Sequence, residues 1–595
     1  LLQKYRRLRS KVKMDNPTHL GAAAAAALVG GIHYLRSSKA HKPLVLCQAT
    51  EDNLATVAAL EEHLSEPLWP SWCATEGNAA TMVGFTRLKP RFAWEERTVV
   101  PTRDGGCVGL DWFHNTPEPA GSNPGEDARR PVLIILHGLN GSSDDPYVRF
   151  LAHLATTKAA PRPTPVSTES SSSASPPFTP PHRWRVAAFL MRGCGGLPLT
   201  SRRGYSAADT DDLHEALKEV RCRFPNAFVA AAGYSLGANL LVKYLGEARR
   251  EQEEEEEGEG AEEVGGDERQ GEEKRGQQDG GREGEERRKQ QRQRPHRRHC
   301  QKKARVLPLL SAAASVSNPF TLRVDGKLHS HKSRYNNSNS SSSSSHDNNS
   351  RSNSQATAGR SGGSGNDGGG GGGGGIRRWV SGKVYSRLLA FKLRSFMLEH
   401  MHTLKLKGDW VEPAVRGIST LTDVDEGVVP RVLGLRDMRD YYETKASAFG
   451  VGNVRVPLLV LHGDDDPLID PQDVPARSLI ANPLVTLVRT AWGGHIGWGV
   501  GALPHLSTNW AEPLVLDFLA HKLHLAAAAT NNDDEDDEDW NHRQSTVAAA
   551  AAAAAVNGTG TIGSRHVRPP AQPHFAFFCS GGHPGGIEQV LRSRL

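Results

Sequence analysis

The sequence predicts an α/β fold: an eight-stranded, mostly parallel, doubly wound sheet with a helical lid insertion and long disordered insertions. Three observations predict it. Short, near-continuous apolar runs recur along the chain, as in parallel strands covered on both faces. Amphipathic helical stretches alternate with them. Every low-complexity tract falls between these elements rather than inside one.

The elements follow in chain order. "ERTVVPT" and "CVGLDWF", joined by the turn signal "RDGG", read as an opening hairpin. Six further strands are read in "PVLIILHG" from Pro131, "WRVAAFLMRG" from Trp184, "AFVAAAG" from Ala227, "RVLPLLSAAAS" from Arg305, "VPLLVLHGDDD" from Val456 and "LVTLVRT" from Leu484. "DTDDLHEALKEVRCRF", from Asp209, starts with acids that suit a helix N-terminus. The stretch Arg377 to Lys407, between the sixth and seventh strands, reads as a helical extra able to form a lid.

Composition divides the chain. Residues 1–90 read as an N-terminal extension, 91–525 as the folded domain, and 526–595 as a disordered tail. Within the domain, Pro/Ser-rich, charged and Ser/Asn/Gly-rich insertions at about 160–181, 247–303 and 325–375 have too little apolar surface to offset the entropy of ordering them. Without them, about 300 residues remain, a plausible single domain. Net charge is +5, from 72 basic and 67 acidic residues, which does not suggest a nucleic-acid partner. Cys47, Cys73, Cys107, Cys194, Cys222, Cys300 and Cys579 are scattered with no C-x-x-C pair, so neither a disulfide framework nor a zinc site is expected.

Gly-x-Ser-x-Gly occurs twice, and context separates the two matches. Gly359 to Gly363 lies between a Ser/Asn tract and a run of glycines, and reads as a chance match in a linker. Gly233 to Gly237 joins "AFVAAAG", a strand, to "LGANLLVKYLG", a helix. That context lets a strained turn present the Ser235 hydroxyl, while Gly233 and Gly237 avoid collisions with neighbouring elements.

A serine hydroxyl needs a base, and the base needs an orienting acid. Asp464, Asp465 and Asp466 follow the seventh strand, and His495 lies in a Gly-rich loop after the eighth. Carboxyl ends of strands are where such sheets bind ligands, so these residues can converge on Ser235. Asp466 is the expected acid, because it precedes Pro467 where the loop turns towards the histidine; Asp465 is the alternative. Donors for an oxyanion are expected from the backbone N–H groups of Leu236 and Leu139. His137 and His462 read as structural. This chemistry requires no metal and no cofactor.

These residues resemble the α/β-hydrolase superfamily, and more narrowly its YheT-like branch of esterases and lipases, which includes membrane-anchored members. The matching pieces are "DGGCVGLDW", "LHGLNGSS", "RGCGG", "GYSLGANLLVKYL", "SVSNPF", "RDYYETKAS", "GDDDPL" and "GGHIGW", in family order. The resemblance implies hydrolysis of carboxylic esters through an acyl-enzyme, with a lipid or small ester substrate such as a monoacylglycerol or phospholipid. Two departures stand out: "EGNAATM" matches the family only loosely, and the insertion before the sixth strand is unusually long.

Two rival readings share this sequence. Acyl transfer would use the same triad, but Val500 stands where acyl-transferring relatives carry the Asp of His-x-x-x-x-Asp. A non-catalytic scaffold would recruit partners through its charged insertions. Oligomeric state is not legible. Leu20 to Leu35 is an Ala-rich apolar run flanked by basic residues. It falls short of the ~20 residues that span a bilayer comfortably, and Asp15 is the sole acid in the first 50 residues. The expectation is an intracellular, membrane-associated protein, with a plastid or mitochondrial transit peptide as the alternative.

Overall fold

The computed structural model describes residues 40–114, 130–157, 183–207, 209–247, 309–322, 372–404, 411–429, 436, 438–531 and 576–578. Strands β1 (Leu44–Gln48), β2 (Glu96–Pro101), β3 (Cys107–Phe113), β4 (Val132–Leu136), β5 (Arg185–Leu190), β6 (Val229–Tyr234), β7 (Ala312–Val316), β8 (Leu458–Gly463), β9 (Val485–Thr490) and β10 (Ala576–Phe578) form one sheet. Its order is β10-β1-β9-β8-β7-β6-β4-β5-β3-β2. From β5 to β9 all pairs are parallel, while β2 with β3, β3 with β5, and β1 with β9 are antiparallel.

The eight strands read from the sequence are β2 to β9. The sheet extends further because β1, inside the segment taken as an N-terminal extension, pairs with β9. Its run "LVLCQ" is short and follows a basic, Ala-rich stretch, so it carries little periodicity of its own, yet its first four residues are buried.

Alternation along the strands feeds two cores. Ile134 and Leu136 face the layer containing Leu213, Leu217, Leu240 and Leu479. Leu133 and Ile135 face Val148, Leu151, Leu514 and Phe518. Helices α1 (Thr210–Arg223), α2 (236–247) and α3 (Ala476–Ala481) therefore cover one face, while Pro146–Thr157 and Ala511–Asn531 cover the other. The middle strands β6, "VAAAGY", and β7, "AAASV", are nearly all small residues. Helices can therefore come close over the sheet's centre, where the site forms.

Among the described residues, four α-helices lie between β7 and β8: Gly372–Glu399, Val411–Gly417, Leu421–Gly427 and Met438–Lys445. Ala390, Val411, Val415, Ile418 and Val424 give this insertion a small core of its own. Thr420 and Asp423 form a reciprocal capping box that starts its third helix. The first helix begins at Gly372, inside the glycine run read as linker to 375, and the last helix of the domain runs to Asn531, beyond the expected boundary at 525. Leu20 to Leu35, Gly359 to Gly363 and most of the expected disordered insertions and tail lie outside the described residues.

Among the described residues no helix is long and apolar enough to cross a membrane. Cys47, Cys73, Cys107 and Cys194 are free thiols, whereas Cys222 is disulfide-bonded.

Candidate active site

Ser235 occupies the one-residue turn between β6 and α2, with φ at 51°, in the left-handed region. An L-residue adopts that conformation only where its surroundings over-determine it. Here the Ser235 N–H donates to Val316 O at 2.9 Å, continuing the β6–β7 ladder into the turn. The two flanking glycines leave no room for side chains. A Cβ on Gly233 would lie 2.6 Å from Gly237 O, and one on Gly237 would lie 2.5 Å from His137 O. Both obstacles are backbone atoms, so neither can move aside cheaply. Gly237→Ala is expected to destabilise the fold by about 2–3 kcal/mol, read as a lowered urea midpoint. An unchanged midpoint would show that β4 and α2 are not locked together there.

The three aspartates after β8 have three different partners. Asp464 Oδ1 pairs with Arg489, at 2.8 Å from Nε. Asp465 Oδ1 accepts the Gly494 N–H at 2.8 Å and so shapes the histidine loop. Asp466 is fully buried and its Oδ2 lies 2.8 Å from His495 Nδ1. Its Oδ1 accepts the N–H groups of Leu468 and Ile469, at 2.8 and 3.1 Å.

Burial works to raise the Asp466 carboxyl. The charge and hydrogen bond of His495, the nearby His462 and the Leu468 amide outweigh it, holding Asp466 below the usual carboxylate range. Ionised Asp466 is an acceptor only, so His495 Nδ1 carries the proton donated to it. The free lone pair is then on Nε2, which lies 2.8 Å from Ser235 Oγ and accepts its proton. The chain Ser235–His495–Asp466 is continuous.

The loop after β4 passes directly over the serine. A Cβ on Gly138 would sit 3.3 Å from Ser235 Cβ. The Gly138 N–H donates to the Tyr147 hydroxyl at 2.9 Å, and Gly141 N–H to Gly138 O at 3.0 Å. Leu139 lies between them, half-buried like Leu236. Leu236 opens α2, where first-turn amides have no acceptor within the helix. His137 fixes this loop: Nδ1–H donates to Gly138 O at 2.8 Å while Nε2 accepts Met191 N–H at 3.3 Å. Burial pushes both His137 and His462 below the usual histidine range.

Sequence reasoning missed the support behind the histidine. Helix Gly77–Thr86, the "EGNAATM" stretch, packs backbone to backbone against the His495 loop. A Cβ on Gly84 would be 2.8 Å from Ile496 O, and one on Gly497 2.4 Å from Ala80 O. Thr81 Oγ1 accepts the His495 N–H at 2.8 Å and donates to Gly77 O at 2.6 Å. From the insertion between β7 and β8, Tyr385 donates its hydroxyl to Asn78 O on the same helix, at 3.2 Å. The available signal was the spacing of Gly77, Ala80, Thr81 and Gly84, which puts small residues on one helix face.

No protein-family model matches the chain. It is 25% identical over 424 residues to the embryogenesis-associated protein EMB8 of Picea glauca, covering 71% of this chain and 65% of that protein. It is 23% identical over 409 residues to a monoacylglycerol lipase of Saccharomyces cerevisiae, covering 68% of this chain and 63% of the lipase. The match to the putative esterase YheT of Escherichia coli is 22% over 416 residues, 70% of this chain and 82% of that protein. The chain thus spans slightly less than two thirds of the length of the first two. With this sheet order, this strand-to-helix turn and these relatives, the chain belongs to the α/β-hydrolase superfamily, in its YheT-like branch.

Proposed function

We propose that the protein hydrolyses carboxylic esters through a serine acyl-enzyme, and that its substrates are lipid esters such as monoacylglycerols or phospholipids. The observation that carries the proposal is the continuous pair of 2.8 Å hydrogen bonds from Ser235 through His495 to buried Asp466.

Ser235 Oγ attacks the ester carbonyl as His495 Nε2 takes its proton. Asp466 holds the imidazole in the Nδ1–H tautomer and stabilises the imidazolium that forms. Negative charge develops on the carbonyl oxygen, and the N–H groups of Leu236 and Leu139 receive it. The imidazolium then protonates the departing alcohol. Water, deprotonated by the same nitrogen, cleaves the acyl-serine in the second half. The lipid substrate class is supported by the lipase named among the relatives.

The test is product analysis on a panel of monoacylglycerols, phospholipids and short-chain esters, with and without an added alcohol. Free fatty acid is expected to remain the main product with alcohol present. A new ester formed in its place would make the protein an acyltransferase on the same residues, and a folded protein silent on the whole panel would overturn the reading.

A further inference from the structure

The helix Gly77–Thr86 has two unlike sides. One presses on the His495 loop, as described. On the other, Met82 and Phe85 are 50% and 43% exposed. They are not isolated. Trp72 is 56% exposed, Leu88 67%, Leu503 65% and Leu506 57%. Hydrogen bonds tie these segments into one surface: Trp72 Nε1–H to Ala502 O at 3.0 Å, Leu88 N–H to His505 O at 2.7 Å, and Ser71 N–H to Gly499 O at 2.8 Å. A contiguous exposed apolar face of this kind marks an interaction surface, whereas scattered apolar residues do not.

Three observations say what covers it. Trp72 turns its ring outward while its N–H is engaged by a backbone carbonyl, the amphipathic arrangement suited to a headgroup boundary. Exposed basic residues neighbour these segments in the chain. Lys89, which pairs with the exposed Asp144 at 3.5 Å, and Arg91 follow Leu88, while exposed Glu66 and Glu76 lie on either side of Trp72 in the chain. Arg387 and Lys392 flank Val384, Leu388 and Phe391, three exposed apolar residues at helical spacing on the lid helix that Tyr385 ties to Asn78. Such a rim complements anionic headgroups. Finally, His41 O accepts Leu68 N–H at 3.0 Å, so the chain preceding residue 40 joins the domain four residues from Trp72 in sequence. That portion carries Leu20 to Leu35, with Lys11 and Lys13 before it and Arg36 and Lys39 after it.

We infer that the face formed by Trp72, Met82, Phe85, Leu88, Leu503 and Leu506 docks on the surface of an anionic lipid bilayer. Docking sets His495 about one helix diameter, ~10 Å, from the headgroups, with Gly77–Thr86 as the spacer. The inference concerns how a lipid reaches the site, and its readout is binding, which separates it from the ester-hydrolase reading.

The experiment compares the full chain with a Trp72→Ser/Leu503→Ser/Leu506→Ser variant. Both are sedimented with phosphatidylcholine vesicles made with and without phosphatidylserine, and thermal unfolding checks the fold. The variant is expected to lose at least about tenfold in vesicle partitioning at unchanged melting temperature. Arg387→Glu/Lys392→Glu is expected to abolish the preference for phosphatidylserine. Equal partitioning of wild type and triple variant overturns the inference, as does a wild type that binds neither vesicle. If the triple variant instead loses self-association on gel filtration and keeps vesicle binding, the face joins two copies and the lipid assignment is overturned. Vesicle binding lost in the variant, in a protein that cleaves no ester, leaves the docking face standing and removes the ester-hydrolase reading.

Discussion

Ser235→Ala is expected to lower kcat on any cleaved ester by on the order of 10⁴- to 10⁶-fold, with thermal unfolding little changed. The methyl group keeps the Cβ, so the φ of 51° is no more strained than before, and the Val316 O bond, made by the backbone, survives. What disappears is the hydroxyl oxygen that lies 2.8 Å from His495 Nε2. The residual rate would come from binding and oxyanion stabilisation alone. Initial rates on the best member of the ester panel measure it, and a variant within tenfold of wild type would place the nucleophile elsewhere.

The second large effect separates neighbouring carboxylates. Asp466→Asn is expected to lower kcat about 10⁴-fold, because an amide that donates towards Nδ1 favours the wrong imidazole tautomer. Asp465→Asn keeps a carbonyl oxygen able to accept the Gly494 N–H, so its rate should stay within about tenfold of wild type. Comparing the two variants on one substrate decides which acid serves His495. Similar losses in both would mean that the loop's shape, rather than the tautomer, is what the aspartates control.

How much of this was legible depended on whether the physics was local. Ser235 could be read because a strand, a turn and a helix adjoin in sequence, whereas Gly359 to Gly363 has no such flanks. Among the three aspartates after β8, the sequence pointed to Asp466 and left Asp465 as the alternative. Consecutive residues in a tight loop point in unrelated directions, and the three partners, Arg489, Gly494 and His495, are set by how β9 and its loop dock beside β8. Strand β1 was missed because its pairing partner lies more than 400 residues away. The helix behind His495 was missed for a different reason. It is apolar on its outer side and small on its inner side, so no polar face marks its period. Its function rests on close backbone approach at Gly77, Gly84 and Gly497, which only the folded arrangement reveals.

The contact between Thr81 and His495 spans 414 positions of the chain. On a ribosome adding roughly 5–20 residues per second, the helix that backs the histidine is made about 20 to 80 s before the histidine itself. Ser235 emerges between them, and β8, β9 and the histidine loop come last. A nascent chain can therefore lay down β2 to β6 and present Ser235 while it has no base. On the proposed mechanism, hydrolytic competence arrives late, once the final strands and the His495 loop have been made, and a product truncated before β9 is expected to be inert by this route.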